Sequence, residues 1–93
     1  MAKDNSIFVG DKPFMNYVTG IVMQFTTHGE KEVIVKARGK YISRAVDVSE
    51  MAAKRFLQDM IKINDVRIDS EEIQNREGRD VRVSTIEISL VRT

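Results

Sequence analysis

The sequence predicts a two-layer α/β (α+β) sandwich of order β-α-β-α-β-β. Its expected form is a four-stranded mixed sheet with both helices on one face and a protruding β3-β4 hairpin. Three observations lead there. Two stretches carry apolar residues at helical spacing, and each follows a short apolar run of strand type. The last two strand-like runs have no helix between them, only a polar turn. The chain has 93 residues, which is one domain's worth, so residues 1–93 are read as a single unit.

Ile7-Phe8-Val9 is a continuous apolar run ending at Gly10, read as a buried first strand. Asp11-Lys12-Pro13 follows, and proline suits a helix start because its missing N–H is not needed there. From Pro13, the residues Phe14, Val18, Ile21, Val22 and Phe25 recur at three and four and define one buried stripe. Gly20 interrupts this helix and is assigned to close packing against the sheet. Gly29 is read as its left-handed stop, with His28 beside it as a capping residue.

Glu32 to Arg38 alternates as a second strand, with Val33, Val35 and Ala37 on one face. A second helix is expected from about Ser43 to Leu57. Its candidate packing positions are Ile42, Ala45, Val46, Ala52, Ala53, Phe56 and Leu57. Ile61, Ile63, Val66 and Ile68 mark a third strand whose alternation changes phase near Asn64-Asp65, the signature of a bulge. Val81, Val83, Ile86, Ile88 and Leu90 mark a fourth, with its own phase change around Ser84-Thr85. Between them Ser70 to Asp80 reads as a polar connection with Gly78 in the turn.

Composition excludes several chemistries. The chain has no cysteine, so disulfides, thiol catalysis and cysteine-bound zinc are out. Its one histidine is His28, at a helix end and without a nucleophile to serve, so no catalytic residue is assigned. Asp65, Asp69, Glu71 and Glu72 lack calcium-loop spacing and read as surface charge, so no metal site is expected. No phosphate-loop or dinucleotide fingerprint occurs, and no cofactor is expected. No apolar run approaches the ~20 residues of a membrane span. The first five residues lead into a strand and not into a signal segment.

Net charge is only +1, so any case for an anionic partner rests on distribution. Lys36-Ala37-Arg38-Gly39-Lys40-Tyr41-Ile42-Ser43-Arg44 holds four basic residues and no acid. It spans the end of a strand, a glycine turn and the start of a helix, where free N–H groups also favour anions. Such a site suits phosphate; a solvated basic loop is the alternative. Around Gly78, Arg76, Arg79 and Arg82 fit a thin arm entering a minor groove, although Glu77 and Asp80 neutralise them in part.

Gly10 to Val18, Val35 to Lys40, Ile42 to Asp47, Arg55-Phe56-Leu57 and Val83 to Ile88 together resemble Alba, the archaeal chromatin protein family. The resemblance runs from about Ser6 to Arg92, with the blocks in family order. It implies the β-α-β-α-β-β fold, related to the C-terminal domain of bacterial translation initiation factor three. It also implies a non-enzymatic, cytoplasmic, nucleoid-associated homodimer that binds double-stranded DNA and RNA with little sequence preference, coating or compacting DNA. An RNA-directed role in a ribonucleoprotein, as in ribonuclease P, is the alternative.

By the same resemblance, Lys12, Asn16, Tyr17, Arg38, Gly39, Lys40 and Arg44 are nucleic-acid contacts, and Arg76, Arg79 and Arg82 embrace the minor groove. Arg55 and Phe56 would join neighbouring dimers, although the helical phase of Phe56 also allows a core position. One departure stands out. Family members commonly carry two lysines after the loop glycine, the first of them acetylated. Here that first position is Asp11, which cannot be acetylated.

Overall fold

A computed structural model describes residues 5–93; the reading of the first residues as a lead-in falls mostly on residues 1–4, outside the described part. The elements are β1 (Ser6–Phe8), α1 (Phe14–Thr26), β2 (Glu32–Arg38), a 3-10 turn (Gly39–Tyr41), α2 (Ile42–Met51), a π-helical continuation (Ala52–Phe56), β3 (Ile61–Gln74) and β4 (Asp80–Arg92). The sheet order is β1-β2-β4-β3. β1 runs parallel to β2, and β4 pairs antiparallel with both β2 and β3. The expected mixed sheet and final hairpin are therefore present.

Strand alternation decides which face is packed. Val33, Val35 and Ala37 of β2 lie opposite Leu90, Ile88 and Ile86 of β4, and all six are buried. Val18, Ile21 and Phe25 of α1 and Ala45, Val48 and Ala52 of the second helical segment complete one core on that side. Among the described residues the other face of the sheet has no helix on it: Ile34, Lys36 and Arg38 pair with Ser89, Glu87 and Thr85 there.

Several expectations need correction. The second helix begins earlier, through the 3-10 turn, and widens to a π-helix over its last five residues. Val46 and Phe56 are exposed, while Val48 and Ser49 are buried instead. Phe56 closes the π-helical stretch, where each residue advances by fewer degrees than in an α-helix; Val46 lies in the regular helix beside the buried Ala45, about 100° round the axis from it. Gly29 does stop α1, with φ 68°. Gly20 does not require glycine: an added Cβ would lie 3.5 Å from Ile7 Cδ1, an ordinary contact.

β3 extends to Gln74, through most of the supposed connection. Polar composition concealed it, because a two-stranded ribbon in water has no buried face to pattern. The bulge is present as a register shift between Ile63 and Asp65. β4 has no such shift at Ser84-Thr85; its pairing is continuous. Its apolar residues change face there, with Val81 and Val83 on the helix-free side and Ile86, Ile88 and Leu90 on the packed side.

Candidate nucleic-acid interface

Topology gathers the basic residues at one end of the sheet. Because β1 and β2 are parallel, the loop carrying Lys12 and the turn carrying Arg38, Gly39 and Lys40 leave from the same end. The last residue of β2, Arg38, pairs with Thr85. The preceding five residues of β4, with their β3 partners, run on past that end as a ribbon. At ~3.4 Å per residue this arm extends about 17 Å before its turn. The molecule is accordingly elongated, 45 × 30 × 23 Å.

The β1–α1 loop is held from inside. Tyr17 is buried, and its hydroxyl accepts hydrogen bonds from the backbone N–H groups of Gly10 and Lys12, both at 3.0 Å. Arg44 donates from Nη1 to the Gly10 carbonyl at 2.8 Å, and its guanidinium lies 5.8 Å from the Tyr17 ring centroid. Of the residues expected to contact nucleic acid, these two thus shape the loop, while Lys12, beside Asp11, is exposed on it and Asn16 is exposed on the first turn of α1. The Asn-Tyr pair divides its labour: adjacent helical residues point about 100° apart, so one faces solvent and the other the loop interior.

Gly39 has φ 53°, a left-handed conformation that suits glycine. It turns the chain sharply from β2 into the helix, leaving Arg38 and Lys40 exposed on either side. No side chain caps the start of α2. Arg38 Nε lies 2.8 Å from Glu71 Oε1. That oxygen has no aligned hydrogen bond, so the contact is an ion pair only. With most of the Arg38 side chain in solvent, it contributes little to stability.

At the arm, Arg82 donates to Ser70 Oγ and Glu72 Oε1, both at 3.0 Å. The tip is built on Asn75, whose Oδ1 accepts from the N–H groups of Glu77 and Arg79 at 3.0 Å, and Gly78 closes the turn with φ 80°. Arg76 and Arg79 are exposed there. Arg55 and Phe56 are exposed at the end of the second helical segment, Phe56 by 52%, on a different element from the basic end. Sequence reading missed two features: the internal bracing by Tyr17 and Arg44, and the acids facing the basic side chains. The latter were legible only as charge, because pairing across β3 and β4 sets their partners.

Comparison with known proteins gives consistent results. The family model described as Alba matches residues 5–70. The DNA/RNA-binding protein Alba of Methanococcus maripaludis is 51% identical over 94% of this chain and 97% of its own length. That of Nanoarchaeum equitans is 52% identical over 92% and 96%. Among solved structures, Alba from Thermoplasma volcanium aligns with a TM-score of 0.87 at 48% identity, covering 95% of this chain and all of the other. ALBA1 from Trypanosoma brucei aligns at 0.73 with 28% identity, covering all of this chain and 73% of its own.

Proposed function

The chain belongs to the Alba family, and from that premise we propose that it binds double-stranded DNA and RNA as a homodimer, without reading sequence and without catalysing a reaction. The observation that carries this reading is the convergence of the Lys12 loop, the Arg38–Lys40 turn and the arginine-bearing arm at one end of the sheet. Backbone phosphates are the partner such an end suits: point charges on a loop and a turn, with a ribbon thin enough for a groove. Relatives at about half identity carry the name DNA/RNA-binding protein, which agrees with it.

The homodimer has support in the packing. Val66 and Ile68 lie on the packed side of the sheet opposite Ile88 and Ile86. Those partners are buried, yet Val66 is 51% and Ile68 79% exposed. Helix cover ends before the edge strand does. An isologous contact there would bury both residues and set two basic ends in a fixed spacing. Arg55 and Phe56, exposed elsewhere, are assigned to contacts between neighbouring dimers along DNA. Coating and compaction of chromosomal DNA follow from these two contacts together.

The test is titration of duplexes of unrelated sequence across salt concentrations, with sedimentation velocity in parallel. Affinities should agree between sequences, and log K should fall against log salt with a slope of about −4 to −8, reflecting several displaced counterions per dimer. Ile68→Lys should sediment as a monomer. A single preferred sequence or a flat salt response overturns the binding reading, and a dimeric Ile68→Lys overturns the interface.

A further inference from the structure

Phosphate neutralisation leaves one feature of the basic end unused. The helix-free face of the sheet holds a cavity of about 660 Å³ beside the Arg38–Lys40 turn. Phe8, Tyr41, Ile73 and Val83 give it apolar walls, so β1, the turn and both strands of the arm contribute. Phe8 is 65% exposed although it sits in a strand whose neighbours Ile7 and Val9 pack inward. Lys36 Nζ lies 5.4 Å from the Phe8 ring centroid, and Lys40 Nζ is at the same distance from Tyr41.

We propose that this cavity receives one unstacked nucleobase of a bulged or single-stranded segment, laid against the Phe8 ring, while Arg38 and Lys40 hold the adjoining phosphates. The inference rests on the nucleic-acid reading above and goes beyond it by assigning a base site. Three observations select this occupant. An exposed aromatic on an open sheet face is a stacking platform that every base can use. The cations on the rim continue into the phosphate-facing turn, so a strand held there passes the opening. Finally, Glu87 and Glu71 also line the cavity, paired to Lys36 at 3.9 Å and Arg38 at 2.8 Å. Carboxylates repel a phosphate from the interior but accept hydrogen bonds from the amino and imino groups of a base. Paired bases in an intact duplex cannot enter without being unstacked, so the cavity discriminates in favour of defects.

Two RNA hairpins that differ only by a single-nucleotide bulge test this by fluorescence anisotropy. The bulged RNA should bind at least about fivefold tighter, the low end of what one base–aromatic stack provides. Phe8→Leu keeps apolar cover on an exposed position but removes the ring. It should abolish the difference while leaving affinity for the perfect hairpin unchanged. A 5-iodouridine placed in the bulge should crosslink to the peptides carrying Phe8 or Tyr41. Equal affinities for the two RNAs, a preference that survives Phe8→Leu, or crosslinks confined to other peptides overturn the base site while leaving duplex binding intact. Failure of the unaltered protein to bind either RNA overturns the nucleic-acid reading and this inference with it.

Discussion

Arg44 in the body and Arg79 at the arm tip carry the same charge in opposite settings. Arg44 is half-buried, bonded to the Gly10 carbonyl and set over Tyr17. The Arg79 side chain is exposed and has no ion pair among the described residues. The body fixes its loop backbone at Gly10 and Lys12 through a packed aromatic and a guanidinium, so the exposed Lys12 side chain starts from a fixed point. The arm is a two-stranded ribbon, and such ribbons are only marginally stable by themselves. Under the proposed function, contacts from the body would be preorganised, whereas those from the arm would gain order from what they touch. The two regions meet at the Arg38–Glu71 pair, which joins the basic turn to the arm.

Truncation in each region should expose that contrast. Leu90 is fully buried in the body, so Leu90→Ala should lower stability by about 2–5 kcal/mol. Ile73→Ala in the arm should change it by less than about 0.5 kcal/mol, as for other surface positions. Chemical denaturation of both variants checks this. Comparable losses would mean that the arm folds as part of the body.

Tyr17→Phe sharpens the comparison at a single atom. Two backbone donors would lose their shared acceptor, a cost of about 1–3 kcal/mol where they stay buried. DNA affinity should fall as well, because the loop bearing Lys12 loosens. An unchanged melt with unchanged binding would show that water replaces the hydroxyl and that the loop needs no brace.

Arg38→Ala combined with Lys40→Ala should leave stability within about 0.5 kcal/mol but flatten the salt dependence of binding by about 0.9 for each phosphate no longer neutralised. If affinity and slope both hold, the Lys12 loop and the arm carry binding without the turn. A collapsed melting temperature would instead make the Arg38–Glu71 pair structural.

The smallest effect is expected from Asp11→Lys. Asp11 precedes α1, where a carboxylate interacts favourably with the helix dipole by about 0.3–1 kcal/mol. Exchanging it should lower thermal stability slightly, tighten DNA binding at low salt, and steepen the slope by about 0.9 per protomer. A folded variant with unchanged binding would turn this loop away from nucleic acid.

Periodicity made the body legible. β2 was expected over its observed bounds, the bulge at Asn64 was visible as a broken alternation, and Gly29 marked the end of α1. Apolar residues record the face they bury, so a packed region writes its structure into its spacing. The arm buries little and left only arginines and a glycine as traces, which is why its length was underestimated. Phe56 was ambiguous because a π-helical stretch shifts the phase; its exposure decides against the core. Resemblance assigns Tyr17 to nucleic-acid contact; the structure shows it buried with two hydrogen bonds to the loop backbone, which depend on a loop closing over it that no local pattern encodes.

β3 has a further consequence for how the protein behaves at high concentration. It is an outer strand of the sheet, 14 residues long, and such a rim offers unpaired peptide groups to any extended chain that drifts against it. In a lone protomer Val66, Ile68 and Ile73 are exposed, so a copy parted from the proposed dimer has the makings of a template for strand addition. Two features oppose this: the register shift after Ile63 interrupts a straight rim, and Lys62, Asp65, Arg67, Asp69, Glu71 and Glu72 space charge along it. The second of these is electrostatic and weakens as salt rises. A variant held monomeric, such as Ile68→Lys, should therefore precipitate in strong salt through chain-to-chain strand pairing at this rim sooner than the dimer, whose contact covers it.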